Sequence, residues 1–451
     1  VQDDGFTGNI ALHYVRVKSG KEKINLLEDG DSSAILQIMK RLIGITTVLL
    51  LSLNLFALSV VPLELEQPYD SIESLYYANF GPSLAQNQED WVAQTKVQLL
   101  TVGPGDELYA WFGHTALLVT QSDGRQIIYD WGIFDDTQED FYTNFAFGKM
   151  YYRVYVSDAL WRIEDSIAEG RSVQVVDLNL SPSAQFALID FLYNEIGPEG
   201  RTYLYHFYDD NCATRVRDIL DKATGGEFKR WAQSQVGTSH RETALPYMAH
   251  FPVLALGLNV LQSWKIDYQT TLWDEMYLPE VLHQAVLDFT MSNGQGLGVN
   301  NTVLSQGVQK TTLINFLRAD TLLFVGLIAA MLLILLGLYL PRVASLIYAI
   351  IFIALALLGT LLLVMAVGTN MDVTYWNLNL LFINPLLFIT AFKPKKQTKT
   401  LLFGLGSMIV LLGLAVLHAP FYQNSTLFIA LLLPIYLSRA AFEARGKVKE
   451  K

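Results

Sequence analysis

The sequence predicts an α+β domain followed by an all-α membrane domain of five spans. Three observations carry that reading. Apolar residues make up 51% of the 451-residue chain and concentrate after residue 320, which points to membrane segments. Before that point, short strand-like runs with turn signals alternate with helical patterns. Charge divides at the same place. From residue 321 onward 10 Lys/Arg face 3 Asp/Glu, a net of +7, and the remaining 22 and 40 give the first 320 residues a net of −18. A basic membrane half and an acidic soluble half suit a membrane protein with basic cytoplasmic loops. They do not suggest a nucleic-acid binder, which would want a basic, aromatic-laced soluble face.

Residues 1–38 show no clear period and read as an upstream extension. Met39-Lys40-Arg41 and the apolar run Leu42 to Leu58, with Ala57-Leu58-Ser59 as a small-x-small site, read as a signal peptide over 39–59; an uncleaved anchor is the alternative. Residues 60–320 then form an exported domain. Its first part, 60–95, is a polar lead-in with a helix at Ser71–Phe80. Strands are predicted at Val97–Val102, His114–Thr120, Gln126–Trp131, Tyr151–Val156 and Ser172–Leu180. Asp123-Gly124 marks a hairpin between the second and third. Glu164–Ala168 reads as helix. Ser181-Pro182 opens a longer one through Glu195, serine as N-cap and proline at the first position. Residues 224–320 mix Gly, Pro and short helical patches in no readable order.

The apolar runs lie at about 321–340, 343–367, 378–392, 401–418 and 426–441. The third is the weakest, interrupted by Asn379, Asn384 and Pro385. With 60–320 outside, the first span runs inward. Arg342, the stretch Lys393-Pro394-Lys395-Lys396-Gln397-Thr398-Lys399 and the basic tail 442–451 then all lie inside, and the outer loops carry no Lys or Arg. This positive-inside bias supports five spans over 321–441 and a periplasmic soluble domain.

The chain holds a single cysteine, Cys212, so it has no intramolecular disulfide and no CxxC metal site. Val216, Ile219, Leu220 and Ala223 fall at helical spacing behind it, and Asp209, Asp210 and Asn211 are N-cap types. Cys212 is therefore predicted in a first helical turn, where the positive helix end favours a thiolate and free N–H groups can hold an oxyanion. The alternative is a small buried apolar residue. A reactive thiol needs a base. His114 heads a strand just after Gly113, and His206 is its rival by closeness in sequence. A third group should orient the imidazole, and the return strand offers Asp130 or Tyr129. A two-residue turn at Asp123-Gly124 puts Tyr129 on the His114 face; a three-residue loop shifts the register by one and puts Asp130 there. Arg215, one turn beyond Cys212, is a candidate to stabilise a thiolate or bind phosphate, or a surface cation. Asn377 and Asn379 are candidates for substrate contact at the outer membrane edge, or for helix packing. No histidine pair has metal-ligand spacing, so no metal site is expected.

Several stretches together resemble the Lnb-type lipoprotein N-acyltransferases of bacteria. They are the run Gly103-Pro104-Gly105-Asp106 through Trp111-Phe112-Gly113-His114-Thr115-Ala116, then Tyr129-Asp130-Trp131-Gly132, Glu169-Gly170-Arg171, Asp210-Asn211-Cys212-Ala213-Thr214-Arg215, and Asn377-Leu378-Asn379 with Asn384-Pro385. The resemblance spans about residues 95–440; residues 1–38 lie outside it. It implies a thiol acyltransferase domain of permuted NlpC/P60-like, papain-like fold, with Cys212 as nucleophile and His114 as base. It implies a membrane phospholipid as acyl donor and lipoproteins as acceptors at the inner membrane, with neither metal nor organic cofactor. A membrane-tethered cysteine peptidase or amidase acting on the cell wall is the second reading. A non-enzymatic membrane scaffold with a buried Cys212 is the third.

Overall fold

The computed structural model describes residues 94–449 apart from 122–123, 135–139, 196–201, 309–312, 393, 418 and 420–421. The expected leader at 39–59, its flanking stretches and the helix expected at Ser71–Phe80 lie outside the described residues.

The first domain is a seven-stranded antiparallel sheet with helices on both faces. In chain order its elements are β1 (Lys96–Val102), β2 (His114–Thr120), β3 (Gln126–Ile133), α1 (Phe141–Ala146), β4 (Tyr151–Asp158), α2 (Ala159–Ala168), β5 (Ser172–Leu178), α3 (Pro182–Glu195), β6 (Thr202–Leu204) and α4 (Cys212–Ala223). There follow α5 (Glu227–Gln233), α6 (His240–Met248), α7 (Pro252–Leu261), α8 (Leu272–Glu275), α9 (Pro279–Asp288) and β7 (Gly298–Gln306). The strand order is β6-β4-β3-β2-β1-β5-β7. One face packs Leu99, Leu117 and Tyr129 against Leu188 and Leu192 of α3, Val216 and Leu220 of α4, and Leu282 of α9. The other packs Leu100, Ala116, Leu118 and Ile128 against Ala159 and Ile163 of α2. The central strands are thus buried on both faces, which accounts for the apolar run Ala116-Leu117-Leu118-Val119 in β2. β7 was not legible. It is an edge strand whose residues, Asn300, Asn301 and Thr302 among them, are largely exposed, so no core face imposes an apolar alternation on it.

The second domain contains α10 (Ala319–Tyr339), α11 (Pro341–Gly368), α12 (Leu387–Phe392), α13 (Pro394–Val416) and α14 (Thr426–Lys449). Among the described residues four helices are long and apolar enough to cross a membrane: α10, α11, α13 and α14. Of the five spans expected from the sequence, four coincide with helices of that length. The third apolar run is a 3-10 turn at Leu378–Leu381, an irregular bend, and the six-residue α12. The physical reason is its amide and proline content. Asn377 and Asn379 turn their side chains out of the run to bond other elements, and the Asn384 side chain accepts from the Leu386 N–H at 3.0 Å, with Pro385 between them. Gly359 of α11 admits this bend, because a Cβ there would lie 2.5 Å from Asn384 Cα.

The two domains meet at a buried ion pair. Arg241 of α6 donates from Nε to Asp267 Oδ1 at 2.6 Å and from Nη2 to Oδ2 at 3.0 Å. The same guanidinium bonds the carbonyls of Asn259 at 2.7 Å and Ser263 at 2.9 Å, and Asp267 Oδ2 accepts the Asn424 N–H from the helical domain at 3.1 Å. Asp267→Ala strands a buried cation, and is expected to cost about 3–5 kcal/mol. Thermal unfolding of the detergent-solubilised chain measures this; a loss below about 1 kcal/mol, the range of an exposed pair, contradicts it.

Candidate active site

Cys212 is the first residue of α4, and a dense cap fixes it there. The Asn211 side chain accepts from the N–H groups of Ala213 at 2.8 Å and Thr214 at 2.9 Å. Thr214 Oγ1 in return accepts the Asn211 N–H at 2.7 Å, completing a capping box. Asn211 Nδ2 donates to the carbonyls of Phe207 at 2.8 Å and Tyr277 at 2.9 Å, locking the cap to the preceding loop and to the α8–α9 junction. Ala213, Val216, Ile219 and Leu220 are buried beneath, so the apolar face read from the sequence seats the helix. The cap alters one expectation. It occupies two of the N–H groups foreseen as oxyanion donors, and among the described residues the Cys212 N–H is the first-turn donor left without a cap partner.

His114 opens β2, and the hairpin register decides its partner. Gln121 N–H donates to the Arg125 carbonyl at 2.9 Å, and Thr120 pairs with Gln126, so three residues separate the paired ends. Asp130 therefore sits opposite Ala116, on the side of His114, while Tyr129 sits opposite Leu117. Tyr129 faces the core at 1% exposure. Asp130 Oδ1 bonds His114 Nε2 in a short contact, which leaves Nδ1 as the nitrogen free to serve the thiol. Asp130 Oδ2 lies 3.2 Å from Nε of Arg162 on α2. Beyond Asp130, β3 bulges before Ile133, and Gly132 holds φ at +87°, a left-handed conformation that glycine adopts without strain. An added Cβ would sit 3.6 Å from Cys212 Cβ. The bulge thus brings the end of β3 alongside the thiol.

The electrostatics follow from these neighbours. Burial opposes charge on His114, but the Asp130 carboxylate, the Cys212 sulfur and its hydrogen bonds to both draw its pKa up to about 9. Burial likewise opposes a thiolate at Cys212. The His114 charge, its hydrogen bond and the Thr115 backbone N–H outweigh that and bring the thiol below its ordinary value. Burial would raise Asp130, yet His114 and Arg162 hold it below the usual carboxylate range. A thiol, an imidazole and a carboxylate so arranged are equipped for nucleophilic acyl transfer.

The other residues singled out in the sequence lie elsewhere. Arg215 Nη2 donates to Asp210 Oδ2 at 2.8 Å, with Glu195 at 3.7 Å and the Tyr203 ring centroid at 4.1 Å. Asn377 and Asn379 are buried at the end of α7. Asn377 Nδ2 donates to the carbonyls of Val260 at 2.8 Å and Leu261 at 3.0 Å, and Asn379 Nδ2 to Val260 at 3.0 Å. Their side-chain oxygens accept from Gln423 at 2.9 Å and Ser425 at 2.6 Å. These amides satisfy the last carbonyls of a helix and join it to the helical domain. His206 stands between Asp209 and Asp372, with Nε2 2.9 Å from the latter. Arg162 escaped the sequence reading, because it is brought in by α2, on the sheet face away from α4, and has no local signal. Among the described residues no group of three or more His, Cys, Asp or Glu side chains is placed to hold a metal ion.

Residues 86–244 match the family model described as the Lnb N-terminal periplasmic domain. This segment contains Cys212, His114, Asp130 and Arg162. No curated protein and no solved structure matches the chain.

Proposed function

We propose that the chain, whose residues 86–244 match the model of the Lnb N-terminal periplasmic domain, is an inner-membrane lipoprotein N-acyltransferase using a cysteine thioester. The observation that carries this reading is the meeting of Cys212, His114 and Asp130 at one helix start, in a domain joined to helices of membrane length. In the first step the Cys212 thiolate attacks an ester carbonyl carbon of a membrane phospholipid. The carbon–oxygen bond breaks, the lysophospholipid oxygen takes the proton from His114, and a thioester remains. In the second step the α-amine of a diacylglyceryl-cysteine attacks the thioester carbonyl. His114 accepts the amine proton and the thiolate leaves. Asp130 holds the imidazole, and the Cys212 N–H faces the developing oxyanion. Arg215, Asn377 and Asn379 take supporting roles in this reading. The order of histidine before cysteine agrees with a permuted NlpC/P60-like arrangement.

Mass spectrometry of lipoprotein N-termini from cells with and without the protein tests the reading. The expected result is a mass increase of one acyl chain on the terminal cysteine amine that depends on the protein. Unchanged acylation with altered wall peptides would favour the amidase reading instead.

We also propose that the chain passes the bilayer five times, with the third passage made by the broken segment 378–392. Reporters fused after Lys396 or at Lys451 are then expected in the cytoplasm, and one within residues 100–300 in the periplasm. A periplasmic C-terminus would mean that the broken segment turns back on the side it entered.

A further inference from the structure

The helix α1 is anomalous for a soluble surface. It has no buried residue, yet Tyr142 is 52% exposed, Phe145 46% and the following Phe147 49%. Its C-terminal end is fixed to the helical domain. The Phe147 carbonyl accepts the Asn370 N–H at 2.8 Å, and a Cβ on Gly148 would lie 2.9 Å from Met371 N. Asn370 and Met371 follow directly on the end of α11 at Gly368. The exposed aromatics therefore stand at the level where an apolar helix of membrane length ends. The same loop presents Trp376, 79% exposed and held at a φ of +57°. Aromatic side chains of this kind collect at membrane–water interfaces, and a bulky residue in the left-handed region is a strained placement that its surroundings must impose.

From α1 a continuous series of rings leads to the thiol. Phe145 lies 6.2 Å from Phe141 between centroids, Phe141 stacks on Phe134 at 5.5 Å, Phe134 meets Tyr152 at 5.3 Å, and Tyr152 meets Tyr205 at 4.5 Å. Tyr205 and Cys212 flank Gly132, whose missing Cβ would sit 3.9 Å from the Tyr205 ring and 3.6 Å from Cys212 Cβ. Exposure falls along the way, from about half at Phe145 to 9% at Tyr152.

We propose that this aromatic track, from Phe145 through Phe134 and Tyr152 to Tyr205, receives the acyl chain of the donor phospholipid and shields it while it is attached to Cys212. The proposal rests on the thioester reading above and adds the path of its substrate. Each methylene lifted from the bilayer into water is unfavourable, and the track supplies apolar cover that begins at the bilayer level and ends at the sulfur. The donor chain is the occupant because the carbonyl attacked first must reach the sulfur with its own hydrocarbon behind it.

The test uses the purified full chain and reads the hydroxylamine-labile adduct on Cys212 by intact mass spectrometry. Two donors are compared: dioleoyl phosphatidylethanolamine in lipid nanodiscs, and dihexanoyl phosphatidylethanolamine as a soluble monomer. In a variant combining Tyr142→Ser, Phe145→Ser and Phe147→Ser, all exposed positions, adduct formation from the long-chain donor should fall about 10-fold or more relative to that from the short-chain donor. An unchanged long-chain rate overturns the proposal, as does an equal fall with both donors, which would make the role structural. Absence of any adduct in the unmodified protein overturns the thioester reading itself. A photoreactive benzoylphenylalanine at position 145 should crosslink to phospholipid acyl chains in native membranes; crosslinks to lipoprotein acyl groups instead, or to no lipid, overturn the assignment.

Discussion

Cys212→Ser is expected to abolish acyl transfer to lipoprotein amines and to leave no hydroxylamine-labile adduct, while the protein stays folded. The first helical turn, its Asn211–Thr214 cap and the Thr115 N–H are set up around a sulfur whose pKa is already drawn down. A serine hydroxyl fits the same space but is far less acidic. The electrostatics that tip a thiol toward its anion do not suffice for an alkoxide. His114→Ala removes the proton carrier of both steps and should lower the rate by about 10²–10⁴-fold. His206→Ala separates the two histidines. His206 is held between Asp209 and Asp372, so its loss should spare most of the activity. A dead His206→Ala beside an active His114→Ala would overturn the identity of the base. Full transfer by Cys212→Ser would overturn the nucleophile.

The parts of this site that were legible in the sequence are those fixed by local chemistry. A cap among Asp209, Asp210 and Asn211 and the apolar stripe behind Cys212 follow from short-range helix rules, and the structure displays both, with Asn211 as the cap. The strand His114–Thr120 was read to its ends, because its apolar run is closed by turn residues. The choice between Asp130 and Tyr129 was not legible. It depends on one residue of loop length, and a one-residue slip exchanges the two faces of β3. Arg162 was invisible because only the packing of α2 on the sheet face that carries Asp130, away from α4, brings the two together. Residues 224–320 resisted ordering for a related reason. Their helices are short, and tertiary bonds such as Arg241 to Asp267 hold them in place, not an amphipathic period. The third apolar run was legible as apolar but not as broken. Pro385 has no N–H to continue a helix and the Asn384 side chain takes the Leu386 N–H, so the run forms a 3-10 turn and the short α12 instead of one straight helix.

Asp130→Asn is expected to preserve the shape of the site and change its pH dependence. The carboxylate is the largest influence raising His114, which stands at about 9 against a tendency of burial to lower it. Without that charge the imidazole pKa falls, and the thiol, having lost a stable imidazolium beside it, moves up. The thiolate–imidazolium pair exists between the lowered thiol pKa and the raised imidazole pKa, so the substitution narrows its window from both sides. Alkylation of Cys212 by iodoacetamide, followed across pH, should show a broad neutral plateau in the unmodified protein. Asp130→Asn should shift the thiol inflection upward and lower the rate at pH 7, with acyl transfer reduced by about 10²–10⁴-fold. Stability gives a second readout with a definite sign. A group whose folded pKa is raised stabilises the fold fully below its unfolded value, about 6.5 for histidine, and that contribution is lost as pH rises through the folded value near 9. The unmodified protein should therefore lose thermal stability between about pH 6.5 and 9 through this group, and Asp130→Asn should flatten that slope. An unshifted alkylation profile in Asp130→Asn would show that Arg162 and Asp130 form a structural pair, and that the histidine holds its charge without them.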